Sequence, residues 1–138
     1  MVLQFFIHPA IAISVVLLTI LTFLLKSRKK KFFKAHYASG IISVCLSAVA
    51  IMIAFWAARP VGFDYFPDPN PIHLMVAIPA ASSLFIQGVM GITMLVDRKS
   101  RAKVYTVHRR FARLVAIIVP IQGMLGLMVL YYLYVRYY

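Results

Sequence analysis

Carboxylates are nearly missing from this sequence. Its 138 residues hold three acids, Asp64, Asp68 and Asp97, and no glutamate, against 15 lysines and arginines. None of the three lies within a long apolar run, which argues against a proton relay through a membrane, because such relays ordinarily use intramembrane carboxylates. Cysteine is scarce as well: Cys45 stands alone, so no disulfide framework can form within one chain. The stretches between apolar runs are short, from Lys26 to His36, Arg59 to Ile72 and Asp97 to His108. They leave no room for a soluble domain, so any catalytic machinery that needs one has to come from another chain. The first apolar run lacks a basic leader and a small-residue cleavage site, and reads as a retained helix rather than a signal peptide.

What the sequence does contain is apolar. Hydrophobic residues make up 63% of it and the mean hydropathy is +0.90, whereas a soluble domain is about half apolar. The runs Leu3 to Leu25, Tyr37 to Ala58, Ile72 to Val96 and Val107 to Val135 are each long enough to cross a hydrocarbon layer of about 30 Å at about 1.5 Å per residue. The pattern predicts an all-α integral membrane protein, a single four-helix up-down bundle over residues 1–138 with helices near 3–25, 34–58, 72–96 and 104–135. Pro9, Pro79 and Pro120 fall inside these runs, where neighbouring membrane helices re-satisfy the freed backbone groups.

The net charge of +12 is unevenly placed. Lys26, Arg28, Lys29, Lys30, Lys31 and Lys34 surround the first link, and Arg98, Lys99, Arg101, Lys103, Arg109, Arg110 and Arg113 surround the third. In an up-down bundle these links share one end, and the excess of Lys and Arg makes that end cytoplasmic, with both termini outside the cell membrane. The middle link holds Asp64 and Asp68 with Arg59 opposing them, and reads as external. The basic clusters hug the membrane, which suits topology and anionic headgroups and argues against nucleic acid as a partner.

The four histidines sort by depth. "IHPAIAI" from Ile7 and "IHLMVAI" from Ile72 place His8 and His73 at the outer entrances of helices one and three, while His36 and His108 open helices two and four on the inner side. A small residue follows each histidine four positions later, Ala12, Gly40, Ala77 and Ala112, on the same helical face one turn along. A single histidine at a helix entrance ordinarily serves the interface. Four of four, paired by side and each with a cleared face beneath it, point instead to two axial imidazole pairs: His8 with His73 for an outer haem b and His36 with His108 for an inner one, each pair holding the haem iron. The matching heptapeptides suggest that the two hairpins repeat about an axis along the membrane normal. Candidate partners for the haem propionates are Lys34, Arg109 and Arg113 inside and Arg59 outside, with Tyr65 a further donor. Tyr131, Tyr132, Tyr134, Tyr137 and Tyr138 read as an aromatic belt, and Met52, Met75, Met90, Met94, Met124 and Met128 as packing residues.

The His-Pro that opens the first helix ("FIHPAIAIS"), the histidine that opens the second after a basic link ("KKFFKAHYASG") and one in each of the last two resemble the cytochrome b561 family across nearly the whole chain. Many members have six helices, and the four-helix core alone is matched; the His-Ser-x-x-Gly form is not present around His73. The resemblance implies two haem b, with the first and third core helices sharing one haem and the second and fourth the other. Two haems near opposite faces imply a transmembrane electron carrier, an oxidoreductase in the broad sense, taking electrons from a quinol, ascorbate or another small donor. The alternative is a membrane-anchor cytochrome b subunit that links a soluble redox enzyme or multihaem cytochrome to the quinone pool. A haem-free channel, transporter or assembly factor is a third reading, and a tetrahedral metal site would need the histidines gathered at one depth. The sequence leaves the oligomeric state open.

Overall fold

The computed structural model describes residues 2–25, 32–58, 70–97 and 99–137. They form four helices, α1 (Val2–Leu24), α2 (Phe33–Ala58), α3 (Asn70–Val96) and α4 (Arg101–Tyr137). The chain is an all-α four-helix bundle and a multi-pass membrane protein, since every helix is long and apolar enough to span a bilayer. Pro9, Pro79 and Pro120 all sit inside continuous helix. The fourth helix begins at Arg101, nearly two turns before the apolar run, and its 37 residues extend about 55 Å, more than the hydrocarbon layer alone requires. Its first two turns therefore carry charge beyond the apolar segment.

The helices form a ring in which α1 packs on α2, α2 on α3, α3 on α4 and α4 back on α1; α1/α3 and α2/α4 are the diagonals. Large apolar side chains point mostly outward, Leu17, Met75, Ile78, Phe85 and Ile117 among them, and the interior is made of small ones. This suits a membrane, where lipid tails solvate leucine as well as a protein core does and helix association depends on close contact. Val15, Ala80, Leu84, Val115 and Val119 form the central core, with Val16, Val44 and Phe111 against it. The hydroxyls of Thr19, Ser39, Ser43 and Ser83 are buried among them, and Ser43 and Ser83 donate to carbonyls of their own helices, Ser39 at 2.9 Å and Ala80 at 2.8 Å. At one end of α4, Tyr131 and Tyr132 are exposed and meet edge to face, as the aromatic belt requires.

Two glycines set how closely the hairpins approach. A Cβ at Gly123 of α4 would lie 2.7 Å from Val16 Cγ2 of α1, and one at Gly88 of α3 would lie 2.9 Å from Val44 Cγ2 of α2. Val16 and Val44 are 28 positions apart, and Gly88 and Gly123 are 35 apart. The contacts are therefore exchanged by a relation that swaps α1 with α2 and α3 with α4. Because the swapped helices are antiparallel neighbours, its axis lies across the helices rather than along them, unlike the repeat that the heptapeptides suggest.

The turn between α3 and α4 is held locally. Asp97 Oδ1 accepts the backbone N–H of Lys99 at 2.9 Å, and the Ser100 hydroxyl, then the Lys99 and Ser100 amides, hold the exposed carboxyl below its ordinary range. Arg101 Nε donates to the Met94 carbonyl at 2.9 Å, which satisfies one of the orphan carbonyls at the C-terminus of α3.

Substituting Gly123→Ala or Gly88→Ala should force α1 from α4, or α2 from α3. Each should destabilise the protein by about 1–3 kcal/mol, as overpacking of a close contact does. Thermal unfolding in detergent checks this, and unchanged midpoints for both would contradict the close approach.

Candidate functional site

Two cavities open between the helices, one toward each end of the bundle. The first, about 200 Å³, is lined by the early turns of α1 and α3 and the late turns of α2 and α4, with His8, Ala12, His73 and Ala77 on its walls. The second, about 370 Å³, reverses this: it takes the late turns of α1 and α3 and the early turns of α2 and α4, with His36, Gly40, His108 and Ala112 on its walls. The second lies within the usual size of small-molecule clefts, and the first is narrower. All four histidines and all four small residues at the i+4 positions thus line cavities, paired across the diagonals: His8 shares one with His73, and His36 shares the other with His108. Leu84 lies in the wall of both.

Two of the rings are held by helix carbonyls. His8 Nδ1–H donates to the Ala50 carbonyl at 2.9 Å, and His36 Nδ1–H donates to the Thr22 carbonyl at 2.8 Å. A carbonyl cannot donate, so the proton on each ring is at Nδ1 and the lone pair is at Nε2. That is the tautomer and the kind of support found behind metal-ligating histidines. The pair obeys the same exchange as the glycines, since Thr22 and Ala50 are 28 positions apart, as are His8 and His36.

The other two rings are held by glutamines. Gln122 Nε2 of α4 lies 3.0 Å from Nδ1 and 3.3 Å from Nε2 of His73 and donates to the ring nitrogen that carries the lone pair. Gln87 Nε2 of α3 donates to His108 Nε2 at 3.1 Å and to the His108 carbonyl at 3.3 Å. Each glutamine opens a short repeated string, "IQGVMG" from Ile86 and "IQGMLG" from Ile121, 35 positions apart like the two histidines they serve. The first glycine of each string is the close-contact residue described above, and the second seats an imidazole: a Cβ at Gly126 would lie 3.1 Å from His73 Cε1, and one at Gly91 would lie 3.8 Å from His108 Cε1.

The two ends differ outside this shared frame. The Thr22 and Ser39 hydroxyls lie 2.7 Å apart, and Thr22 also donates to the Leu18 carbonyl at 2.7 Å. A polar clasp therefore ties α1 to α2 beside His36. Arg101, Tyr105 and Arg109 line the second cavity, and the described walls of the first hold no arginine or lysine. Of the cations expected from the sequence, Arg109 lines a cavity, whereas Lys34 and Arg113 are exposed and do not. Arg59 and Tyr65 lie outside the described residues.

The sequence reading missed Gln87, Gln122, Gly91, Gly126, Arg101 and Tyr105, although the IQGxxG repeat was there to be found. Among the described residues no three of His, Cys, Asp and Glu come together. A tetrahedral site for zinc or copper is not formed by them. No protein-family model, curated protein or solved structure matches the chain.

The contrast between the two ring seats is measurable. Gly126→Ala should move the His73 ring and change its side-chain ¹⁵N shifts, whereas Gly91→Ala should leave those of His108 in place. Histidine-selective NMR in micelles reads both, and equal responses would contradict the difference in clearance.

Proposed function

We propose that the chain is a dihaem b-type cytochrome that carries electrons across the membrane between a donor and an acceptor on opposite sides. One observation carries the reading: the histidines line two separate cavities in pairs, His8 with His73 and His36 with His108, at opposite ends of the bundle. Bis-imidazole ligation of a flat macrocycle needs a pair of rings facing a common space, with small residues beneath them. Ala12 and Ala77 fit that need in the first cavity, and Gly40 and Ala112 in the second. The resemblance to the cytochrome b561 core supports the same ligand set.

Haem b supplies one-electron chemistry at its iron, and the protein supplies position, ligation and a low-dielectric setting. His8 and His36 present Nε2 lone pairs because the Ala50 and Thr22 carbonyls hold their Nδ1 protons. His73 and His108 complete the pairs. Arg101 and Arg109, at the mouth of the second cavity, are placed to meet carboxylates there. Leu84 is buried and common to both walls, an apolar side chain between the two sites. The basic links around α1–α2 and α3–α4 orient the bundle with the His36/His108 end toward the cytoplasm.

The short links favour a second version, in which the same dihaem core anchors a soluble redox enzyme or multihaem cytochrome and connects it to quinone. Co-purification with such a partner supports that version, and quinol or ascorbate oxidation by the isolated chain supports the first.

Spectroscopy of the purified protein tests the central claim. The expected result is two b haems per chain by pyridine haemochrome, with low-spin bis-imidazole bands. His8→Ala combined with His73→Ala should leave one haem, whereas His8→Ala combined with His36→Ala should leave none. The reverse pattern would overturn the pairing, and no haem in the wild-type chain expressed with ample haem would overturn the function.

A further inference from the structure

Each cavity holds its two imidazoles in chemically different ways, a carbonyl behind one ring and a glutamine beside the other, with Gln122 nearest Nδ1 of His73 and Gln87 at Nε2 of His108. One ring of each pair rests on a peptide carbonyl, which can accept a hydrogen bond and nothing else. The other rests on a glutamine side chain, which can either donate or accept. Gln122 and Gln87 at present donate from Nε2 to ring nitrogens of His73 and His108, and their Oε1 atoms are buried without a hydrogen-bond partner among the described residues. A buried amide carbonyl left unpaired is costly, because its desolvation is not repaid.

A neutral imidazole has one lone pair and one N–H. If the lone pair is given to a metal, the ring has only its N–H to offer, and an amide N–H facing it is then matched with the wrong partner. The glutamine has the remedy in its own side chain, because a half-turn of the amide exchanges nitrogen for oxygen at nearly the same position; at Gln87 the turn gives up the bond to the His108 carbonyl, and accepting the N–H at Nε2 leaves Nδ1 of His108 for the metal.

We propose that Gln122 and Gln87 are positioning residues with two settings: Nε2 toward the ring while His73 or His108 is uncoordinated, and Oε1 accepting the ring N–H when the histidine ligates iron. Resting on the dihaem reading, this makes His8 and His36 the fixed ligands and His73 and His108 the adjustable ones. In the second setting the acceptor raises the basicity of the ligand and favours ferric iron, as groups behind a ligating histidine do.

The sequence has three glutamines, Gln4, Gln87 and Gln122, so the side-chain carbonyls can be followed individually. The chain is labelled with ¹³C at the glutamine side-chain carbonyl and its infrared difference spectrum is taken between haem-free and haem-loaded protein. Two carbonyl stretches should fall to lower frequency on loading, one lost in Gln122→Met and the other in Gln87→Met. Potentiometry gives a second readout. Gln122→Glu should lower, and Gln122→Met raise, the potential of the haem between His8 and His73, by about tenfold in the ferric-to-ferrous balance or about 59 mV. The other haem should stay in place, and Gln87 variants should give the mirror result. A glutamine that served packing alone would move both variants the same way or not at all. Two haems in the wild type with unmoved carbonyl stretches would overturn the proposal and leave the dihaem reading intact; no haem in the wild type would overturn both.

Discussion

An imidazole inside a bilayer cannot turn to water for its N–H, so the protein has to provide an acceptor from a neighbouring helix. The donations from His8 to Ala50 and from His36 to Thr22 are that provision. Each crosses from one helix of the first hairpin to the other. The register of α1 against α2 is thereby tied to the depth of two histidines, and a slip along the helices would leave both N–H groups stranded. In the second hairpin the glutamines tie the rings in the opposite sense, donating a side-chain N–H to them. The packing follows from these ties: rings that need a helix within hydrogen-bond reach need small residues between the helices, and the interior is accordingly built of Ala, Gly, Ser and Val.

Much of this was legible in the sequence, and what was not has a geometric cause. Apolar run length gave the four helices, because hydrocarbon thickness leaves little choice of span. Histidine position and the small residue at i+4 gave the two cavities, because both are properties of a single helical face. Of the expected cations, Arg109 lines a cavity and Lys34 and Arg113 do not, for a reason of angle. At about 100° per residue, Arg113 lies some 140° around α4 from His108 and Lys34 some 200° around α2 from His36, so neither shares its histidine's face. Arg101 precedes His108 by two turns and falls on nearly the same line, but the apolar run starts later than the helix does, and hydropathy could not reveal those first turns.

The glutamines were missed for another reason. Gln87 belongs to α3 and serves a histidine of α4, while Gln122 belongs to α4 and serves a histidine of α3. No window along one helix contains both partners. The IQGxxG strings do repeat, but the repeat runs between antiparallel helices, and the eye drawn to the parallel likeness of "IHPAIAI" and "IHLMVAI" looks in the wrong direction. The histidines of one cavity are alike in depth and in the small residue beneath them, yet they differ in what holds them.

The exchange of α1 with α2 and of α3 with α4 also bears on how the chain is threaded into its membrane. Turned end over end, part of the interior would meet itself, with valine against glycine, glutamine beside histidine and carbonyl behind histidine, while Val15 would fall on Ser43 and Ala80 on Val115. The residues that follow the exchange therefore carry little preference for which end faces which compartment. The marked asymmetry of charge lies instead with the lysines and arginines of the links. For those residues orientation and packing are separable, and the charges at one end could be moved to the other without a histidine, a glutamine or a close-packed glycine changing its neighbour.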